Sequence, residues 1–168
     1  MNRIAASIIL AVPILAFGAD KNPDASFFKH AAEGGIAEVE AGKLAQDKGN
    51  SQTVKDFGAM MVKDHSAAND KLASIASSEG VSLPTTSSVG QMATKAKLEV
   101  LRGDKFDKAY IKNQLKAHED TVALFKKEIA SGSDGQAKSF ASDTLPKVQA
   151  HLMKIRKIAT DAGVSGKK

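Results

Sequence analysis

The chain carries four histidines and no cysteine, so any metal or proton chemistry falls to imidazoles, carboxylates and hydroxyls. Three of the histidines stand where apolar residues would be the ordinary choice. His118 interrupts the series Ile111, Leu115, Val122, Phe125, Ile129, whose steps of four, seven and three mark one face of an α-helix. His65 lies inside a second stripe that includes Val54, Phe57, Met61, Leu72 and Ala76, with Asp64 on its flank. His151 sits at the edge of a third, built from Ala137, Ala141, Leu145, Val148, Leu152 and Ile155. A fourth segment places Glu38 on the face of Phe27, Ala31 and Ala45, while Glu40 points about 200° away toward solvent. His30 falls off the apolar face and reads as a surface residue.

Glu38, His65, His118 and His151 are one carboxylate and three imidazoles, each from a different helix. Such groups ligate zinc, iron or copper, and helical bundles assemble metal sites from inward-facing side chains. The set suits a single ion. Two-iron centres use Glu-x-x-His pairs, and here Val62, Leu115 and Val148 stand three residues before the three histidines, so a ferroxidase is not supported. The same four residues can instead form a hydrogen-bonded layer that fixes helix register and adds little net stability. The sequence favours this structural layer, with a mononuclear metal-binding or redox site as the alternative. A variant of the structural reading is acid response, because imidazoles charging near pH 6 would load the core with repulsion.

Other chemistries find no support. There is no Gly-x-Ser-x-Gly turn and no phosphate-binding Gly-x-x-x-x-Gly-Lys loop, so no motif marks an enzyme. Met60 and Met61 at helical spacing read as core filling rather than copper ligands. Of the 24 basic residues, only three are arginine; the basic residues are interspersed with 19 acidic ones, and aromatics are scarce, so a nucleic-acid partner is not expected.

The elements that must position the four residues follow from caps and breakers. Helix one runs from Asp24, a good N-cap, to Lys48. Gly34, Gly35 and Gly42 lie on or beside its inner face and imply close approach of a neighbour, with a break at Gly34–Gly35 as the alternative. Ser51 caps helix two, which stops near Gly80. A loop with Pro84 leads to a short helix, Val89 to Leu101. Gly103 closes it, and Asp104 caps the third long helix, which carries Asp107 near its positive end. After the Gly132–Ser133 turn, the last helix runs from about Asp134 to Asp161, where Pro146 predicts a kink or a fresh start.

Short turns make helices one and two antiparallel, and likewise the last two. The joint between the pairs is long enough to span a helix of about 40 Å. The expected fold is all-α: a ferritin-like four-helix bundle over residues 24–162, with a long crossover containing a short extra helix. Counted along their helices, the four polar residues all fall within about two turns of mid-height, which defines a polar waist.

Residues 1–18 are expected to be a signal peptide: Arg3, an apolar run from Ile4 to Phe17, and small residues Ala16 and Gly18 before the cut. No later segment reads as a membrane span, and the lack of cysteine excludes disulfides and a lipoprotein anchor. Residues 163–168 read as a disordered tail. The expected location is the periplasm or the exterior, with peripheral contact to the outer membrane, other envelope surfaces or other proteins. The expected role is binding or stress-related and structural.

Four blocks carry a family resemblance: AAEGGIAEVEAGKLA at 31–45, VKDFGAMMVKDH at 54–65, FDKAYIKNQLKAHE at 106–119 and FASDTLPKVQAHL at 140–152. Together they resemble a bacterial domain-of-unknown-function family of exported helical proteins, whose members are labelled outer-membrane or periplasmic proteins. The resemblance spans Asp24 to Ile158 and includes Asp64–His65, His118–Glu119 and Leu145–Pro146 with His151, in that order. It implies a ferritin-like bundle and brings no activity with it.

Overall fold

The computed structural model describes residues 22–164. The expected signal peptide and residues 165–168 lie outside the described residues. Five helices follow one another: α1 (Ala25–Lys48), α2 (Gln52–Ser78), α3 (Val89–Glu99), α4 (Gly103–Ser131) and α5 (Gly135–Asp161). No strand occurs among the described residues, and no helix there is long and apolar enough to cross a membrane.

The hydrogen bonds between helix ends fix the topology. At one end, the turn from α1 to α2 meets the start of α4: the backbone N–H groups of Asn50 and Ser51 each donate to the Asp107 carboxylate at 2.8 Å. At the other end, Asp24 before α1 accepts from the Ser133 N–H at 2.7 Å and from the Asp134 N–H. Glu79, at the end of α2, meets Gln136 at the start of α5. Hence α1 and α2 form one antiparallel hairpin and α4 and α5 another. Because α2 and α4 run parallel, their connection must travel the length of the bundle, and α3 lies within it, packed on α1 and α4.

The helices α1 and α2 approach closely at their glycines. A Cβ on Gly58 would lie 2.7 Å from both the Ala45 Cβ and the Gly42 carbonyl oxygen, and one on Gly42 would lie 2.6 Å from the Gly58 oxygen. Helix backbones that touch in this way exclude any side chain. Gly42 therefore has the role expected of it and Gly35 abuts the Asn69 side chain, but Gly34 meets nothing within 4 Å; α1 passes Gly34–Gly35 without a break.

The core divides into two apolar clusters. One contains Ala41, Ala45, Phe57, Met61, Phe106, Ile111, Leu115, Leu152 and Ile155. The other contains Phe27, Phe28, Ala32, Leu72, Ala76, Phe125, Phe140, Ala141 and Val148. On every long helix the expected polar residue falls between the two: Glu38 on α1, His65 on α2, His118 on α4 and His151 on α5. All four are buried.

Several local expectations need correction. Asp24 makes no side-chain cap on α1, since its carboxylate is committed to the far turn. Arg102, not Asp104, occupies the cap position of α4, and Gly103 with φ of 57° makes the entry turn. Of the two outcomes expected at Pro146, the fresh start does not occur: α5 is continuous through it. The buried face of α1 is turned toward Ala32, Glu38, Ala41 and Ala45, leaving Ala31 and Val39 half-buried, because the glycine contact with α2 sets its rotation. Gly163 and Val164, read as tail, belong to the packed unit: Val164 is buried and its N–H donates to the Ala159 carbonyl at 2.8 Å.

Candidate functional site

The waist brings three imidazoles together. Ring centroids are 5.8 Å apart for His65 and His118, 5.6 Å for His65 and His151, and 5.6 Å for His118 and His151. One ligating nitrogen from each ring lies within 4.8 Å of the others. Three imidazoles on a tetrahedral zinc, with Zn–N of 2.0–2.1 Å, would have ring centroids about 5.3 Å apart. The ring centroids thus stand within a few tenths of an ångström of that spacing, and the nitrogens, within 4.8 Å of one another, would draw together to reach an ion.

Hydrogen bonds from outside the triangle decide where the protons sit. His118 Nδ1 is 2.9 Å from the Gln114 carbonyl oxygen. A carbonyl can only accept, so Nδ1 carries the proton and Nε2 keeps its lone pair. His151 Nε2 is 2.9 Å from Asp64 Oδ2. The Asp64 carboxyl would be raised by its partial burial, but hydrogen bonds from His151 and Lys147 outweigh that and hold it below its ordinary value. Ionised, it accepts, so His151 donates from Nε2 and keeps the lone pair on Nδ1. The nitrogens left over, His65 Nε2, His118 Nε2 and His151 Nδ1, are all buried and have no hydrogen-bond partner. There is one such atom on each of the three rings.

Burial holds two of the three imidazoles, His65 and His151, below the ordinary histidine value. Burial, reinforced by His118 and His151, pushes His65 down to about 3. Burial also lowers His151, against support from Asp64. For His65 the expected charging near pH 6 does not hold, because desolvation moves it far below that point.

Glu38 is placed differently from the histidines. It is not part of the group of three. Its Oε1 approaches His118 Nδ1 at 3.9 Å, the nitrogen whose proton already goes to Gln114, while its Oε2 has no partner. Burial raises its carboxyl, opposed by His118 and Gln114. Glu38 thus stands behind His118 rather than inside the triangle. The exposed His30 pairs with Glu33 at 3.4 Å, as a surface residue should.

Three participants escape a reading based on apolar stripes. Asp64 was only a flank residue, and its role depends on α5 packing beside it. Gln114 and Tyr110 are fully buried. Gln114 had a signal available, since it is a polar residue one position from the Ile111–Leu115–His118 stripe and four before His118. A cavity of about 40 Å³ borders His65 and His151 and is lined from α1, α2, α4 and α5, with His30 of α1 among its walls.

Comparison with known proteins adds fold and family. The crystal structure of a "putative secreted protein DUF305" from Streptomyces coelicolor superposes with a TM-score of 0.71 at 15% identity, covering 86% of this chain and 96% of that one. At this identity the likeness establishes a shared helical fold alone. No curated protein matches the chain. The family model described as Domain of unknown function (DUF4142) matches residues 15–158, in agreement with the resemblance seen in the sequence, and the chain belongs to that family.

Proposed function

We propose that this is an exported helical-bundle protein whose core holds one transition-metal ion, zinc or copper, on His65, His118 and His151. The observation that carries the reading is the set of three unpartnered buried nitrogens, one per ring, with two tautomers fixed from outside. A purely structural layer would pair these atoms, because each buried polar group left unmade costs about 1–3 kcal/mol. Asp64 behind His151 and a backbone carbonyl behind His118 are the outer partners that metal-bound histidines ordinarily have. An all-nitrogen donor set suits zinc and copper better than iron, which bundles hold with carboxylates. Glu38 stands behind His118 and is not among the donors.

The topology, two hairpins joined by a full-length crossover, supports the ferritin-like connection. Export rests on the character of residues 1–18 and accords with the word "secreted" in the description of the Streptomyces neighbour. Elemental analysis of the purified mature protein tests the metal reading. The expected result is one zinc or copper per chain, lost in His118→Ala. A protein that takes up neither metal from stoichiometric solution sinks it and returns the layer to a structural role.

A further inference from the structure

The triangle provides three donors, whereas zinc takes at least four. The cavity of about 40 Å³ touches His65 and His151 but not His118, so it opens on the His65–His151 edge. Most of its wall surface is apolar, with Phe125 and Val148 contributing, while His30, Asn69, Thr121 and Thr144 also line it, and the small Ala68 leaves part of the space free. Lys147 stands at the rim, its Nζ 3.3 Å from Asp64 Oδ1.

We propose that the fourth coordination position faces this cavity and accepts a small exogenous anion of about three non-hydrogen atoms or fewer, of the hydroxide or azide type. This rests on the metal reading above. Size follows from volume: one water-sized body needs roughly 10–15 Å³, so the space holds about three. Charge follows from the donors. Three neutral imidazoles leave the positive charge of the ion uncancelled, and apolar walls strengthen its pull on an anion. Asp64 is already engaged by His151 and Lys147, and Glu38 lies on the far side of His118. A metal with such an open position is built to bind or transform a small molecule, whereas a purely structural ion has all its positions filled by protein.

The test loads the mature protein with cobalt(II), whose visible spectrum reports its coordination, and titrates azide. The expected result is a saturable spectral change with one azide per metal, while 2-methylimidazole, too large for the cavity, produces none. In Ala68→Leu the cobalt stays bound and azide affinity falls at least tenfold. If cobalt binds but the spectrum ignores azide, or if 2-methylimidazole binds as well as azide, the cavity proposal is overturned while the metal site stands. If no cobalt is taken up, both fall. The size comparison uses the unmodified chain, so it decides the matter even where the leucine variant fails to fold.

Discussion

Asp64 Oδ2 accepts the Nε2 proton of His151 at 2.9 Å, and that bond makes Nδ1 the lone-pair nitrogen of the ring. Asp64 is a positioning residue in the proposed site: it touches the imidazole, and the imidazole would touch the ion. Removing it in Asp64→Ala frees the ring to rotate and to change tautomer. Loss of such an outer partner ordinarily weakens a metal site by roughly 10–100-fold. Competition against a chelating dye measures this, with the metal content at saturation unchanged. An affinity equal to that of the unmodified protein would remove Asp64 from the site.

His118 distinguishes the metal reading from the structural one. Anything that binds the folded state alone raises stability by RT ln(1 + [L]/Kd), about 2.7 kcal/mol at a hundredfold excess over Kd. Zinc should therefore raise the Tm of the unmodified protein by several degrees and leave that of His118→Ala where it was. Truncating a fully buried ring also destabilises the metal-free protein, so the decisive quantity is the zinc-induced shift and not the starting Tm. Equal shifts in the two proteins would show that zinc binds elsewhere.

What could be read ahead of the structure followed from periodicity. A polar residue inside an apolar stripe is visible from one helix alone, which is why His65, His118 and Glu38 stood out and why their heights agreed. A helical wheel gives an angle but not the identity of the neighbour at that angle. Asp64, on the flank of its stripe, faces solvent or α5 depending on a contact the single helix does not encode, and Glu38 could fall on either side of His118. The acids at helix ends show the same limit. Asp24 has the chemistry of an N-cap, but its carboxylate serves the turn between α4 and α5, and Asp107 serves the turn between α1 and α2. Local propensity identifies such residues as acceptors; tertiary packing selects the donor.

The glycines give opposite expectations at two positions. Gly58→Ala drives a methyl to 2.7 Å from the Gly42 carbonyl and the Ala45 Cβ; backbone cannot yield as a flexible side chain would. Overpacking of this kind costs about 1–3 kcal/mol. Gly34→Ala meets nothing within 4 Å in the middle of a helix, and should stabilise by about 0.5–1 kcal/mol. Denaturant unfolding of the two variants checks both signs, and a stabilised Gly58→Ala would contradict the close approach of α1 and α2.

Glu128 makes stability depend on pH at the opposite end of the bundle from Asp107. It is buried near the turn between α4 and α5, and its carboxyl is pushed up to about 7, first by burial, then by Asp24 and Asp134, with Lys138 opposing. A raised carboxyl binds its proton more tightly in the folded chain than in the unfolded one. Its contribution to stability is therefore complete below the ordinary glutamate value, near 4.3, and is lost as pH rises through about 7. Glu128→Gln keeps the shape and removes the ionisation. It should leave Tm almost unchanged near pH 4.5 and raise it at pH 8, where the native residue holds a buried charge beside two other carboxylates. His65 contributes in the reverse sense, with its stability lost as pH falls from about 6.5 toward about 3. It is present in both proteins, so the difference between their melting curves isolates Glu128. A difference that does not grow between pH 4.5 and 8 would show that Glu128 is ionised in the fold across that whole range.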